Sequence, residues 1–151
     1  MTTTGTAAQT GTTGTALTLQ PYIFFYGRCR EALDFYKKVF NGAYEAMTVG
    51  ESPYADDPNM GGDKNAIMHA SFTSPGVNFF ASDGREKKKI DPEEGNIAVA
   101  LSATTAADGE RICKALAEGG EVKMPLSEAF WGGRFANIVD KFGNEWMITA
   151  P

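Results

Sequence analysis

The sequence has little histidine, little cysteine and no clustered positive charge. One histidine and two cysteines occur among 151 residues, so a metal centre built from several imidazole or thiolate ligands is excluded. Cys29 and Cys113 follow no spacing pattern, which predicts free thiols in a reducing cytoplasm rather than a disulfide framework. No apolar run is long enough to cross a bilayer, so we expect a cytoplasmic protein with no membrane partner.

The distribution of charge argues against nucleic acid as a partner. The formal net charge is −5, and the basic residues are scattered except in the run from Arg85 to Lys89. Proteins that neutralise phosphates carry a basic face, and no such face is predicted here. We interpret the basic run as a solvated connector.

The periodicity of apolar residues divides the chain into two units of the same order. Residues 17–26 alternate as a strand, residues 28–40 have helical spacing, and three short strands follow as far as Asp83. From Asn96 the order recurs, with a helix over 106–118 and three further strands. The sequence therefore predicts an α+β fold made of two tandem β-α-β-β-β modules.

These patterns also set the expected boundaries along the chain. The first module spans 17–84, a connector spans 85–95 and the second module spans 96–151, and both modules share one structural domain. Residues 1–16 are rich in Thr, Gly and Ala and lack both parts of a secretory signal. We expect them to form a disordered tail.

Strand parity predicts which side chains line a cleft. In the fifth strand, Ile97 should face the second helix, which leaves Ala98 on the opposite face to line a cavity. In the third strand, His69 should share the open face if Phe72 is buried under the first helix. In the last strand, Trp146 alternates with Met147, so Trp146 should face the second helix and be buried there.

Several segments, taken in order, resemble a known superfamily. They are PYIFFYGRCREALDFYKKVF, DKNAIMHASF, FFASDG and AFWGGRFANIVDKFGNEWM, within residues 17–149. Together they resemble the vicinal oxygen chelate superfamily, which includes glyoxalase, bleomycin resistance proteins and extradiol dioxygenases, and within it the PhnB-like branch. The resemblance implies a U-shaped, partly open, barrel-like sheet around a cleft that is commonly completed by a homodimer.

The resemblance also implies where a metal would be held. Metal-dependent members place ligands on the first, fourth, fifth and eighth strands, and these positions fall at Pro21, near Ala81, near Ala98 and at Met147. None of these side chains is an oxygen or imidazole ligand, so we predict no metal and no other cofactor. A rearranged site made of His69, Asp83 and Glu145 is the alternative.

A second group of residues is predicted to contact an organic ligand. Phe130, Trp131 and Arg134 flank two glycines, and ring stacking with a guanidinium fork suits an aromatic or anionic molecule. Packing of Trp131 at a dimer interface is an equal alternative. The loop over 51–64 carries Tyr54 and is either a lid or a disordered excursion. The complete predicted ligand-binding set is His69, Trp131, Arg134, Phe130, Glu145, Met147 and Tyr54.

Other chemistries lack their motifs. Relatives in the PhnB-like branch are often labelled as demethylubiquinone methyltransferases, but no Gly-rich strand-turn-helix motif for a nucleotide or methyl donor occurs. No nucleophile motif for acyl transfer occurs either, and Cys29 lies on the apolar stripe of the first helix, where we expect it to be buried. The sequence favours a metal-free homodimer that binds a small molecule. The alternative is a metal-dependent lyase, isomerase or dioxygenase of the glyoxalase type.

Overall fold

The structure is a computed structural model that describes residues 16–60 and 62–151. The predicted tail therefore lies almost wholly outside the described residues. The regular elements, in chain order, are β1 (Tyr22–Phe24), α1 (Cys29–Phe40), β2 (Ala43–Thr48), β3 (Ile67–Ser74), β4 (Val77–Ser82), β5 (Val99–Ser102), α2 (Ala106–Ala117), β6 (Glu121–Glu128), β7 (Arg134–Val139) and β8 (Glu145–Ala150). Of the helices in these residues, none has the length and apolar character to span a bilayer.

The two modules have the same topology. The strand orders are β1-β4-β3-β2 and β5-β8-β7-β6, and in each sheet the first strand pairs in parallel with the last. The remaining pairs are antiparallel. The predicted α+β duplication is confirmed. Within the described residues the sheets are separate and do not close into a barrel, and the modules meet through contacts that include α1 against α2.

Helix α1 forms where the sequence places an apolar stripe with suitable charges at each end. Glu31 lies in its first turn and Lys37 and Lys38 in its last, where each charge opposes the helix dipole. The helix ends at Asn41, whose left-handed backbone (φ 52°) stops it as the Asn-Gly pair predicts. Its buried residues are Cys29, Ala32, Leu33, Phe35, Tyr36 and Val39.

Two strands are shorter than the alternation of apolar residues predicts. Strand β1 covers only Tyr22–Phe24. Strand β5 begins at Val99, and the prediction that Ile97 faces α2 is wrong, because its side chain is 83% exposed. Val99 pairs in parallel with Trp146, and the partner strand β8 begins only one residue earlier, at Glu145. Ile97 therefore lies beyond the start of β8 and has no strand partner there.

Aromatic packing joins the modules. Trp146 is fully buried, as predicted, but its ring lies against α1, with centroids 5.6 Å from Tyr36 and 5.7 Å from Phe40. Phe142, in the turn before β8, lies 5.8 Å from Phe25 and 5.6 Å from Phe35. The second module therefore supplies part of the cover for the first helix.

A buried carboxylate lies at the centre of this packing. Asp140 is 2% exposed and accepts hydrogen bonds from the Tyr36 hydroxyl, from Trp146 Nε1 at 2.8 Å, and from the backbone N–H groups of Phe142 at 2.9 Å and Asn144 at 3.0 Å. Burial, followed by the negative charge of Asp140, raises the pKa of Tyr36 well above its usual range. One side chain thus connects α1, the turn and β8.

We expect Asp140→Ala to lower the free energy of unfolding by about 3–5 kcal/mol, because it leaves several buried donors without an acceptor. Tyr36→Phe removes only one of these donors and should cost about 1–2 kcal/mol. Urea denaturation monitored by tryptophan fluorescence measures both changes. The exposed control Glu94→Gln should stay within about 0.5 kcal/mol of the unmodified chain. A cost below about 1 kcal/mol for Asp140→Ala would show that this network does not hold the modules together.

Candidate functional site

The open face of the first sheet carries a row of aromatic side chains. Tyr22 and Phe24 project from β1, His69 from β3 and Phe80 from β4, on the side opposite to the buried core. Ring centroids are 5.1 Å apart for Tyr22 and Phe24, 5.6 Å for Tyr22 and His69, and 5.4 Å for His69 and Phe80. Tyr22 is 42% and Phe24 46% exposed. We call these four residues the aromatic platform.

His69 takes the position that parity predicts. Its side chain is on the open face and exposed, while Phe72 of the same strand is fully buried under α1. The hydroxyl of Tyr22 lies 3.0 Å from His69 Nδ1, within hydrogen-bond distance. The histidine is therefore held on the platform by a polar contact as well as by its neighbouring rings.

The open face of the second sheet is different in character. Ala100 lies opposite Met147, and Met147 lies opposite Asn137. Asn137 Nδ2 donates to Glu145 Oε2 at 2.8 Å and lies 3.3 Å from the Met147 sulfur. Asn137 Oδ1 is buried and accepts no hydrogen bond within the described residues. Of the predicted ligand-binding set, Glu145 and Met147 are thus brought together on this face, next to an asparagine that the sequence did not single out.

Phe130 and Trp131 lie in the turn between β6 and β7, away from Arg134, with which they were predicted to bind a ligand. Phe130 is 97% and Trp131 59% exposed, with ring centroids 4.8 Å apart. The turn follows from Gly132 and Gly133, whose φ values of 102° and 72° favour glycine. Arg134 lies on the other side of the strand, with Nη1 3.5 Å from Glu110 Oε1 of α2. Trp131 and Arg134 therefore do not form one binding group in this chain.

Tyr54 lies in the long connection between β2 and β3, and its side chain is exposed. The described part of that connection contains two 3-10 turns, Val49–Glu51 and Pro58–Met60. Thr48 and Glu51 form a reciprocal capping box at its start, and Ser52 is buried. The start of the loop is ordered by these contacts, and its action as a lid remains a prediction.

Sequence comparison assigns this arrangement to a family. The sequence profile of the Glyoxalase/Bleomycin resistance protein/Dioxygenase superfamily matches residues 18–148. The chain belongs to this superfamily. The resemblance drawn from the sequence segments is thereby confirmed.

Individual relatives agree with the superfamily assignment. Protein YjdN from Escherichia coli (strain K12) is 27% identical over 139 residues, which cover 87% of this chain and 93% of that protein. The crystal structure of protein PA1353 from Pseudomonas aeruginosa is 35% identical with a TM-score of 0.75, covering 89% of this chain and 98% of that one. A Bacillus cereus structure described as a putative 3-demethylubiquinone-9 3-methyltransferase, PhnB protein, is 24% identical with a TM-score of 0.68, covering 89% and 100%. At that identity the likeness shows the fold alone.

The metal positions of the superfamily are occupied here by side chains that do not fit a divalent ion. Ala81 is fully buried on the helix side of the sheet, and its neighbour Phe80, which has no metal-binding atom, lies on the open face. On the second sheet, Met147 offers only a thioether. The described residues contain no group of three or more His, Cys, Asp or Glu side chains placed to hold a metal.

The alternative metal site of His69, Asp83 and Glu145 is not assembled in the structure, because Asp83 is engaged elsewhere. Asp83 is buried, and its Oδ1 accepts hydrogen bonds from the backbone N–H groups of Gly27 at 3.0 Å and Cys29 at 2.8 Å. Its Oδ2 accepts from the N–H of Ile67 at 2.7 Å. The prediction that Asp83 faces the cleft is therefore wrong. The carboxylate instead satisfies the first donors of α1 and the start of β3.

Part of the site escaped the sequence analysis although a signal for it was present. The alternation in Tyr22-Ile23-Phe24 places both outer rings on one face, and Phe80 follows from its pairing with Tyr22. Asn137 carried no such signal, because its unpaired oxygen depends on which side chains surround it.

Cys29 is buried as expected, and its surroundings disfavour the thiolate form. Burial, with a further contribution from the negative charge of Asp83, raises the pKa of Cys29 to about 12. The folded state therefore keeps this proton at a pH where the unfolded chain has lost it. Stability should decline as the pH rises from about 9 towards about 12.

We expect the native protein at pH 8 to resist iodoacetamide at Cys29, with a rate at least 100-fold below that of the urea-unfolded chain. Mass spectrometry of peptides after timed labelling measures this rate, because only the thiolate reacts. Cys29→Ala should also flatten the decline in unfolding free energy above pH 9, relative to the unmodified chain. Rapid native labelling of Cys29 would contradict the burial and the raised pKa.

Proposed function

We propose that this chain binds a small aromatic or anionic compound on the open faces of its sheets, without a metal ion. The observation that carries the proposal is the aromatic platform, in which Tyr22, Phe24 and His69 are exposed and Phe80 is half-buried. Ligand sites are commonly lined by aromatic side chains with a few placed polar groups, and this face has both. Superfamily membership is compatible with the proposal, because the superfamily includes bleomycin resistance proteins as well as enzymes, and one fold can host different functions.

The side chains at the positions expected to bind a metal favour binding of a ligand without metal-dependent catalysis. The positions that would hold an ion carry apolar or thioether groups, and Asp83 is occupied by three backbone donors. A lyase, isomerase or dioxygenase of the glyoxalase type would need ligands that these faces do not offer.

We further propose that the site is completed in a homodimer in the cytoplasm. No helix or strand in the described part of the chain covers the two open faces, and a second copy would cover the platform with the open face of its own second sheet. Exposed apolar side chains in the second module support self-association, since large exposed patches mark interaction surfaces. They are Ile97, Val122, Met124, Phe130 and Trp131. Both cysteines are free, which suits a reducing compartment.

Purification without chelators, followed by native mass spectrometry and elemental analysis, tests this proposal. We expect a dimer mass, a bound organic compound that denaturation releases, and far less than one metal ion per chain. A stoichiometric ion lost together with the organic ligand would favour the metal-dependent enzyme and overturn the proposal. A monomer at micromolar concentration would overturn the dimer alone.

Phe80→Ala should weaken binding of an anilinonaphthalene sulfonate dye by about 3–10-fold, because one stacking ring contributes about 0.5–1.5 kcal/mol. Fluorescence titration measures the dissociation constant, and a thermal melt confirms that the variant is folded. Arg111→Gln, on the exposed side of α2, is the control and should bind as the unmodified chain does. Equal affinity for Phe80→Ala and the control would remove the platform from the site.

Trp131→Ala separates the two interpretations of the exposed turn. If Trp131 stacks on the ligand, the dye affinity falls while the dimer mass is unchanged. If Trp131 lies at the dimer interface, sedimentation shows a raised dimer dissociation constant. If the dye affinity and the dimer dissociation constant are both unchanged, Trp131 has neither role.

A further inference from the structure

We infer that the ligand of the aromatic platform carries a hydrogen-bond acceptor oxygen at the edge of its ring, and that His69 Nε2 is the atom that donates to it. Tyr22 acts as the positioning residue that fixes the proton on that nitrogen. The inference rests on the proposed function and narrows its ligand class to aromatic carboxylates, phenolates and carbonyl compounds.

The contact between Tyr22 and His69 links the phenol to one nitrogen of the imidazole. The hydroxyl oxygen of Tyr22 is 3.0 Å from Nδ1, and this distance fits either a phenol that donates to Nδ1 or an Nδ1–H that donates to the phenol oxygen. The first arrangement is favoured because a phenol O–H is a more acidic donor than a neutral imidazole N–H, and the imidazole nitrogen is the better acceptor. A neutral imidazole that accepts at Nδ1 holds its proton at Nε2. In this arrangement the neutral ring is an Nε2–H donor.

Protonation of the ring does not change this role. A cationic imidazole donates from both nitrogens, so Nδ1 would donate to the Tyr22 oxygen and Nε2 would still donate outward. Glu45, an acidic residue of β2, lies opposite Ser71 and forms no hydrogen bond with His69. Nε2 is thus left to a partner from outside the described residues, and that partner must accept.

The ring neighbours of His69 set the rest of the ligand. The ring centroids of His69, Tyr22 and Phe80 form a triangle, with 5.6 Å from His69 to Tyr22, 5.4 Å from His69 to Phe80 and 6.1 Å from Tyr22 to Phe80. A planar ligand that packs against Tyr22 and Phe80 therefore lies beside the imidazole, where an acceptor at the edge of its ring can meet Nε2. An aromatic molecule with an acceptor oxygen matches both the aromatic rings and the Nε2–H donor. An aromatic ammonium group would instead place a second donor opposite Nε2–H, with no acceptor for either proton.

The single histidine makes the proton position directly measurable. Nitrogen-15 NMR of the imidazole should show the Nε2–H tautomer in the neutral state of the unmodified protein. Tyr22→Phe keeps the stacking ring but removes the hydroxyl, so it should give a mixture of the two tautomers. A neutral Nδ1–H tautomer in the unmodified protein would overturn the inference.

Ligand selectivity gives a second test with two matched probes, indole-3-acetate and tryptamine, which share a ring and differ in the charged group. We expect the unmodified chain to bind indole-3-acetate about 10-fold more tightly, the effect of roughly one hydrogen bond to a charged acceptor. His69→Leu should abolish this preference. His69→Gln should restore part of it, because its amide can donate near the position of Nε2. The control Asn78→Ala, exposed on β4, should keep the full preference.

The outcomes separate this inference from the proposed function. Equal binding of both probes, unchanged by His69→Leu, would overturn the inference and leave small-molecule binding standing. Tighter binding of tryptamine would overturn it as well. If neither probe binds, the inference is also overturned, while the copurified compound decides the proposed function by itself. A thermal melt of each variant shows whether it is folded, and His69→Gln carries the test if His69→Leu is not.

Discussion

The arrangement of this protein depends on one buried carboxylate. Asp140 is removed from water, yet its oxygens accept from a tyrosine of the first module and from a tryptophan and backbone groups of the second. A carboxylate in such surroundings is tolerated only when donors surround it, so the network fixes the packing of the rings around it. The two sheets share no strand pairing among the described residues, and this network joins the modules together with the aromatic packing and the contact of α1 with α2.

Once the modules are fixed, the two sides of each sheet serve different purposes. The side that faces the helices is packed with large apolar groups, and substitution there disturbs stability. The opposite side makes few demands on the fold and can carry rings, thioethers or polar groups. This division explains how one superfamily fold accommodates different chemistry, and in this chain it leaves Tyr22 and His69 on an exposed face.

Much of the architecture follows from local patterns. Helix α1 begins one residue after its predicted start and ends where predicted, because an apolar stripe and an Asn-Gly stop are encoded within the segment itself. The face of His69 followed from parity in the same way. The predicted facing of Ile97 and of Asp83 was wrong, because each depends on groups far away in the sequence: the start of the partner strand for Ile97, and backbone donors for Asp83. The contact of Arg134 with Glu110 of α2 could not be predicted for the same reason.

The sequence by itself determined the duplicated β-α-β-β-β order and the superfamily, since periodicity and residue type are properties of the chain alone. Only the tertiary structure decided which polar groups are already occupied. Asp83 and Asp140 have the same chemistry in the sequence, and neither remains available for an open face, because backbone and ring donors reach them after folding. The exposed partner of Tyr22, in contrast, has a ring nitrogen that bonds to none of the described residues, because its strand directs the side chain away from the core.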